Sequence, residues 1–261
     1  MSDSTTRFTE RVADYAAHRP TYPPEVVSLL AREGVLRPDD VVADVGSGTG
    51  ILTAMLLAAG HTVHAVEPNE AMAAEATACH GADPRYHAAA GRAEATGLPA
   101  QSCDVVTAAQ AFHWFDLHAT RREFARIIRP GGAVVLVWNI RRTDTTPFLR
   151  EYEALLQRFA LDYKRINAGW ADAEAIGRFF APNRFEVRRL DNLQVVSFEG
   201  LRGRLLSSSY APPAGHPQHE PMIATLRLLF DRHQRDGQVA LDYDTRVYWG
   251  RLDGRAPFAE L

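Results

Sequence analysis

The chain has 261 residues, of which 46% are hydrophobic and 23% are charged, so it can bury a substantial core and is not largely disordered. Its 29 basic and 32 acidic residues give a formal net charge of -3, which argues against a general nucleic-acid-binding protein. We expect a cytoplasmic protein, because the sequence begins without an apolar leader and its two cysteines cannot stabilise a disulfide framework of this size.

The N-terminal region, residues 7–34, predicts two short helices around a proline-rich break. Phe8, Val12 and Tyr15 recur at helical spacing before the break Arg19-Pro20-Thr21-Tyr22-Pro23-Pro24. A residue before proline is pushed out of the helical region, so the first helix must end there and a second one is expected from Pro24 to Gly34.

From Val41 to Trp138, short apolar runs alternate with helical segments, which is typical of a parallel sheet. Two further strands are expected after several helices in the C-terminal third, giving seven in all. The predicted strands are Val41–Val45, Thr62–Val66, Arg85–Ala90, Cys103–Ala108, Ala133–Trp138, Phe185–Leu190 and Val247–Leu252. The predicted helices after the first two are 50–59, 70–80, 117–128, 148–160, 171–180, 201–206 and 222–233.

A glycine-rich turn, Asp44-Val45-Gly46-Ser47-Gly48-Thr49-Gly50, follows the first predicted strand and opens the next helix. Glycines allow tight turning and close approach of a ligand, and a helix N-terminus offers unpaired N–H groups. The spacing Gly-x-Gly-x-Gly differs from the fingerprint of dinucleotide-binding proteins, because Ile51 stands where their third glycine would fall. This argues against NAD or FAD.

An acidic residue, Glu67, comes directly after the second predicted strand and precedes Pro68 and Asn69. The carboxyl ends of parallel strands border the ligand crevice, and a carboxylate there can accept hydrogen bonds from both hydroxyls of a ribose. The sequence therefore predicts a ligand that carries a ribose.

Residues 41–138 resemble the core of class I S-adenosylmethionine-dependent methyltransferases. The likeness comprises the glycine turn, Val66-Glu67-Pro68-Asn69, the loop Gly91-Arg92-Ala93-Glu94 and the turn Arg129-Pro130-Gly131-Gly132. It implies a Rossmann-like, mostly parallel α/β sheet with helices on both faces and a helical cap, divided into a lid (1–34), a cofactor-binding core (35–140) and a C-terminal part (141–261). The implied cofactor-binding residues are Arg19, Asp44, Gly46, Ser47, Gly48, Gly50, Glu67, Pro68, Met72, Arg92, Ala93, Glu94 and Gln110. Many relatives carry an aspartate where this chain has Arg92, which cannot accept a hydrogen bond from the adenine amino group.

The segments Arg19–Pro23 and Gln110–Phe115 also resemble a small-molecule subgroup that includes trans-aconitate and natural-product methyltransferases. The position of His113 beyond the fourth strand makes it the candidate base, with Tyr22 as a second catalytic candidate. An aromatic wall would favour a flat acceptor, and residues 7–24 are expected to close over it as a lid, with Arg19 near the cofactor's carboxylate. The candidate substrate-binding residues are Tyr15, Tyr22, Phe112, Trp114, Trp138 and Asn139.

The sequence thus predicts methylation of a carbon, oxygen or nitrogen of a small acceptor, aromatic or from secondary metabolism. Two alternatives remain: a protein that binds S-adenosylmethionine without transferring methyl, and a carboxylate O-methyltransferase of the trans-aconitate type. Neither nucleic acid nor membrane is expected as a partner, and the oligomeric state is open. The histidine pairs at 61 and 64 and at 216 and 219 lack a third ligand, so no metal is predicted.

Overall fold

The computed structural model describes residues 18–161, 163 and 173–253, which form one seven-stranded sheet and eight helices. The strands are β1 (Val41–Val45), β2 (Thr62–Val66), β3 (Tyr86–Ala89), β4 (Cys103–Ala109), β5 (Ile128–Arg141), β6 (Phe185–Val196) and β7 (Val239–Gly250). The helices are α1 (Glu25–Arg32), α2 (Ile51–Ala58), α3 (Glu70–His80), α4 (Leu117–Ile127), α5 (Pro147–Phe159), α6 (Ala173–Phe180), α7 (Phe198–Leu206) and α8 (His219–His233). None of these described helices is both long enough and apolar enough to cross a bilayer.

The strand order is β3-β2-β1-β4-β5-β7-β6, and β7 alone among the seven runs against its neighbours. The predicted α/β class with a mostly parallel sheet is therefore confirmed. The chain runs outward from β1 to β3 and then returns to β4 on the other side of β1, and such a reversal opens a crevice at the carboxyl ends of β1 and β4. The site predicted from the sequence falls at this point.

Both faces of the sheet are buried along the central strands β1, β4 and β5, as the apolar runs in these strands require. One cluster packs Val42 and Val135 against α1 and α2, whereas the other packs Ala43 and Val134 against α4 and α6. Successive residues of a strand point to opposite faces, so each strand contributes to both clusters. The predicted placement of helices on both sides of the sheet is confirmed.

The C-terminal strands are longer than the sequence indicated. Strand β6 continues to Val196 instead of ending at Leu190, and β7 begins at Val239 instead of Val247. The two pair in antiparallel register along their whole length. The apolar pattern that predicts a strand is interrupted by polar residues in these extensions. An antiparallel strand can carry hydrophilic side chains on a face that contacts other polar groups.

Residues 18–23, here called the strap, cross the carboxyl edge of the sheet. The carbonyl of His18 accepts a hydrogen bond from Gln194 Nε2 at 2.9 Å. The carbonyl of Thr21 accepts two, from Asn192 Nδ2 at 2.8 Å and from Asn139 Nδ2 at 3.1 Å. Side-chain amides of β5 and β6 thus satisfy the backbone of a segment that proline keeps out of regular structure. The first predicted helix, around Phe8 to Ala16, lies outside the described residues.

Helix α7 packs against the strap from the other side. Arg19 Nη2 donates to the carbonyl of Ser207 at 2.9 Å. The ring of His18 lies directly over Gly203, where a Cβ atom would stand 1.9 Å from His18 Cδ2. The absence of a side chain at Gly203 therefore allows the strap to pack against this helix.

We predict that Gly203→Ala displaces the strap, whereas Gly177→Ala does not. Both glycines lie inside helices, so both substitutions gain helix propensity, but a Cβ at Gly177 would meet nothing within 4 Å. The clash with His18 should make Gly203→Ala about 1–3 kcal/mol less stable than Gly177→Ala in urea unfolding. Amide hydrogen exchange in residues 18–23 should also accelerate in Gly203→Ala alone. Equal stability and equal exchange in the two variants would contradict this packing.

Candidate functional site

The glycine turn is held against β2 and β4 by contacts that only a small residue permits. The N–H groups of Gly46 and Ser47 both donate to the carbonyl of Val66, at 2.8 and 3.2 Å. Gly46 has a φ of 70°, and a Cβ there would lie 2.6 Å from Ala111 Cβ. The turn is therefore fixed between the ends of the two strands that flank β1.

The other two glycines of the turn serve different purposes. Gly50 caps α2 in the left-handed conformation, with a φ of 87°, and a Cβ there would come within 2.9 Å of the His80 ring. Gly48 also has a positive φ, of 58°, but its side-chain position is open, with Met72 Sδ the nearest atom at 3.9 Å. Of the three glycines, Gly48 is the one whose missing side chain leaves room for a ligand.

Asp44 supports the turn from within the core. Its carboxylate is 1% exposed and accepts hydrogen bonds from the hydroxyls of Thr53, at 2.7 Å, and Thr107, at 2.8 Å. Burial raises the pKa of this carboxyl, and the two hydroxyls partly counteract the shift. The structure thus places Asp44 beneath the turn, where it joins β1 to α2 and β4, and its side chain does not line the cavity as a cofactor contact would.

Glu67 stands at the end of β2 and joins the two loops that border the cavity. One carboxylate oxygen accepts from the N–H of Gly48 at 2.9 Å, and the other accepts from the N–H of Asn69 at 2.8 Å. The residue is 8% exposed, and burial raises its pKa despite these two hydrogen bonds. Each oxygen retains acceptor capacity for a hydroxyl in the cavity.

A cavity opens beside these residues, at the carboxyl ends of the strands. Its lining contains nine of the predicted cofactor-binding residues and one predicted substrate-binding residue, Trp114. The lining residues are Gly46, Gly48, Glu67, Pro68, Asn69, Met72, Arg92, Ala93, Glu94, Ala109, Gln110, Ala111, Trp114 and Phe115.

Four predicted cofactor residues do not line this cavity. Asp44 and Gly50 are structural supports, and the Ser47 hydroxyl is buried without a hydrogen-bond partner among the described residues. Arg19, expected near the cofactor's carboxylate, bonds to Ser207 instead. Sequence reasoning missed Asn69, Ala109, Ala111 and Phe115, since alanine and phenylalanine beyond a strand carry no chemical signal of their own.

The loop on the far side of the cavity is fixed by Glu123 of α4. This carboxylate accepts hydrogen bonds from the N–H and the hydroxyl of Thr96, and it pairs with Arg126 at 2.7 Å. Hydrogen bonding to Arg126, with that of Thr96, lowers the pKa of Glu123 to about 2. Glu94, which lines the cavity, accepts from the N–H of Asp116 at 2.9 Å. The loop is thus anchored to both ends of α4.

His113 lies in a single 3-10 turn between β4 and α4, with its ring 4.9 Å from that of Trp114. Burial and the nearby charge of Arg19 lower the pKa of His113 to about 4. The imidazole is therefore neutral at physiological pH and can accept a hydrogen bond. Trp114 is 40% exposed at the cavity, where the sequence placed an aromatic wall residue.

Most of the expected aromatic wall belongs to the core instead. Phe112 and Trp138 are 3% and 1% exposed and meet edge to face at 6.0 Å, within the cluster that packs α4 and α6 on the sheet. Tyr22 is 7% exposed and packs in the opposite cluster. These rings are large and apolar, so burying them stabilises the fold more than exposing them in a cavity would. Tyr15 lies outside the described residues.

Asn139 was expected to contact substrate but serves as a junction of the fold. Besides holding Thr21, it accepts through Oδ1 from Thr245 at 2.5 Å and from Asn192 at 3.1 Å, and its carbonyl accepts from Gln110. Its side chain is 3% exposed, and these bonds use its polar groups. The contacts from β6 and β7 would have been found only by extending both strands to their observed lengths.

No group of three metal-ligating side chains lies together among the described residues. Of the histidine pairs noted in the sequence, His64 stacks on His87 with ring centres 5.1 Å apart. His219 Nδ1 lies 2.9 Å from the carbonyl of Pro212. These contacts account for two of the histidines without a metal.

Comparison with known proteins agrees with this geometry. Residues 43–136 match the model of a methyltransferase domain. An uncharacterized methyltransferase-like protein of Schizosaccharomyces pombe is 31% identical over 250 residues, 92% of this chain and 93% of its own. An uncharacterized methyltransferase of Mycobacterium tuberculosis is 40% identical over 156 residues, 60% of this chain and 61% of its own. A candidate type II methyltransferase from Anaeromyxobacter dehalogenans, of solved structure, superposes with a TM-score of 0.67 at 26% identity, over 90% of this chain and 98% of that one.

We predict that His113 makes the protein less stable in weak acid. Its pKa is lowered to about 4 in the folded state, whereas an unfolded histidine titrates near 6.5, so the unfolded chain binds the additional proton between these values. The free energy of unfolding should therefore fall as the pH is lowered from about 6.5 to 4. His113→Gln should reduce this slope, and the exposed control His118→Gln should retain it. Identical slopes in wild type and His113→Gln would show that folding does not lower the pKa of His113.

Proposed function

Since the chain belongs to the class I S-adenosylmethionine-dependent methyltransferases, we propose that it methylates a small molecule held between the cavity and the strap. The observation that carries this proposal is the strap itself, bonded through His18 and Thr21 across the carboxyl edge of the sheet. Together with α7 it covers the edge beside His113, which suits a small acceptor better than a macromolecular one. The net charge of -3 likewise does not favour binding of a negatively charged nucleic acid.

The residues of the cavity fit S-adenosylmethionine. Glu67 is positioned to accept hydrogen bonds from ribose hydroxyls, Gly48 leaves room beside the turn, and Met72 is available to cover the adenine. When bound, this cofactor supplies a methyl group on a positively charged sulfur. The contribution of the protein is then mainly to hold the acceptor atom in line with that methyl group, an effect worth up to about 7–11 kcal/mol.

His113 is our candidate for the residue that orients the acceptor. Its neutral imidazole can accept a hydrogen bond from a hydroxyl or an amine, which directs a lone pair of that group toward the methyl. Protonation of His113 is disfavoured by burial and by Arg19, so it is a weak base in the absence of substrate. Tyr22, the other catalytic candidate, packs in the core and is better suited to holding the strap in place.

The chemistry of the acceptor is less constrained than the aromatic residues suggested. Because Phe112 and Trp138 are core residues, Trp114 is the described member of the predicted aromatic wall that lines the cavity and could stack on a flat acceptor. We keep a natural-product acceptor methylated on carbon, oxygen or nitrogen as the proposal. Methylation of a carboxylate remains the alternative chemistry.

Methyl transfer can be tested before the acceptor has been identified. The full-length protein would be incubated with small-molecule extracts and isotopically labelled S-adenosylmethionine, and labelled products would be separated by mass spectrometry. The proposal expects a labelled compound of low molecular mass that is absent when the protein is omitted. Tight binding of the cofactor with label only in added protein or RNA would contradict it.

We predict that Glu67→Ala weakens S-adenosylmethionine binding about 5- to 150-fold, the equivalent of 1–3 kcal/mol for lost hydrogen bonds to a charged acceptor. Exposed Glu70, three residues later, provides the control Glu70→Ala, which should bind normally. Because burial raises the pKa of Glu67, wild-type affinity should also fall as the pH is lowered toward that pKa. Calorimetric titration measures both effects, and an unchanged affinity in folded Glu67→Ala would remove Glu67 from the site.

We predict that His113→Asn lowers kcat while leaving cofactor affinity within about twofold of wild type. The amide can still form hydrogen bonds but cannot reproduce the position of the ring nitrogen, so a loss of about 10²-fold or more is expected for a residue that aligns or deprotonates the acceptor. Steady-state kinetics with the identified acceptor would separate kcat from KM. A change in KM alone would assign His113 to ground-state binding.

A further inference from the structure

One buried cation, Arg204 of α7, has no acidic partner among the described residues. The residue is 7% exposed. Its Nε lies 3.4 Å from the Tyr243 hydroxyl, and its Nη1 lies 3.1 Å from Ser208 Oγ. Tyr152 and Tyr210 are close enough to interact with it electrostatically. The guanidinium is thus surrounded by neutral hydroxyl groups and aromatic rings.

Arg141, in the same region, is by contrast paired with an acid. It pairs with Glu153 at 2.5 Å, bonds to the Tyr163 hydroxyl at 3.1 Å and lies 4.9 Å from the centre of the Tyr152 ring. The same carboxylate oxygen of Glu153 also accepts a hydrogen bond from the Tyr163 hydroxyl. The acid that neutralises Arg141 therefore does not serve Arg204.

Leaving Arg204 uncompensated is costly. Buried charges are normally paired, because removal of an ion from water costs several kcal/mol that neutral groups only partly restore. A phenol is neutral at physiological pH, and burial raises the pKa of Tyr152 further from that range. A charge kept buried without a counter-ion is better explained by a ligand than by stability.

One terminal nitrogen of the guanidinium is not used by these contacts. Nη2 forms no hydrogen bond within the described part of the chain. A guanidinium offers parallel N–H groups whose geometry suits the oxygens of a carboxylate or a phosphate. Arg204 therefore has donors available for an anion.

Arg204 is located on the side of the sheet where we propose that the acceptor binds. Its partner Tyr243 pairs with Arg141 in the sheet, two residues beyond the pair formed by Asn139 and Thr245. Two residues of a strand span roughly 7 Å. Ser207, next to the Ser208 that Arg204 contacts, accepts the hydrogen bond of Arg19 in the strap. Arg204 thus belongs to the cover formed by the strap and α7 over the proposed acceptor. It lies farther along β5 and β7 than the cofactor cavity does.

We propose that Arg204, together with the Tyr243 hydroxyl, binds an anionic group of the acceptor, a carboxylate or a phosphate, that anchors the molecule and is not itself methylated. This inference rests on the proposed function for the identity of the ligand as acceptor. The methylated atom would lie toward His113, and the anionic group would lie toward α7. An acceptor with both groups is held at two points, which fixes the direction of the nucleophile.

The test uses the full-length protein saturated with S-adenosylhomocysteine and measures urea unfolding at constant ionic strength. Benzoate and inorganic phosphate are the anionic probes, benzamide is the neutral counterpart of benzoate, and sodium chloride sets the baseline. At least one anion should stabilise the wild type in a saturable manner, whereas benzamide should not. In Arg204→Met the apparent Kd should rise at least about tenfold. Arg227→Met, on the exposed part of α8, should respond like wild type.

Each outcome bears on the proposal. A response to benzoate alone identifies a carboxylate anchor, and a response to phosphate alone identifies a phosphate anchor. An identical response in wild type and Arg204→Met, or no response beyond chloride, would overturn the proposal. Should Arg204→Met fail to fold, Tyr243→Phe retains the charge and removes one hydroxyl, and its Kd should rise about threefold or more.

The same readout separates this inference from the proposed function, because unfolding measurements do not depend on methyl transfer. If anion binding requires Arg204 but the protein yields no labelled small molecule, the anion site is supported and only the proposed function is contradicted. A labelled neutral product without any anion response would do the reverse.

Discussion

The buried amide of Asn139 is the interaction on which the acceptor side of this protein depends. It joins β5 to Thr245 of β7 and to Asn192 of β6, and it holds the carbonyl of Thr21 in the strap. Side-chain amides can donate and accept at once, so this one residue of β5 bonds to groups from two other strands and from an irregular segment. Without it the Thr21 carbonyl would lose one of its two side-chain hydrogen bonds, at a cost in stability.

On the cofactor side, the glycine turn depends on a buried acid. Asp44 is desolvated, and its hydrogen bonds to Thr53 and Thr107 offset part of that cost while tying the turn to α2 and β4. Glu67 is less buried and joins the turn to the start of α3 through the N–H groups of Gly48 and Asn69. Two carboxylates in neighbouring strands thus have different roles: Asp44 maintains the shape of the turn, and Glu67 presents acceptors to a ligand.

The acceptor side combines features that are costly for stability. His113 is kept neutral by burial and by Arg19, and Arg204 is kept charged without an acid beside it in the part of the chain that the structure describes. Buried ionisable groups that are retained at a cost in stability often mark functional sites, because stability alone would favour apolar residues at the same positions. His113 lies close enough to Arg19 of the strap to be affected by its charge, and Arg204 belongs to α7, which packs on the strap; we therefore relate both residues to the acceptor and not to the sheet itself.

The fold class, the glycine turn and Glu67 could be predicted from the sequence because each depends on residues close together in the chain. Apolar runs specify parallel strands, and a turn between strand and helix brings its glycines to the edge wherever the rest of the chain goes. The acceptor side depends on contacts between distant residues, such as Asn139 with Thr21, 118 positions apart, and Gln194 with His18, 176 apart. Local pattern could not show that Phe112 and Trp138 would pack in the core, or that Arg204 would have no acid beside it among the described residues. Burial and charge pairing at those residues are set by whichever elements pack around them, and only the assembled sheet, strap and α7 determine that.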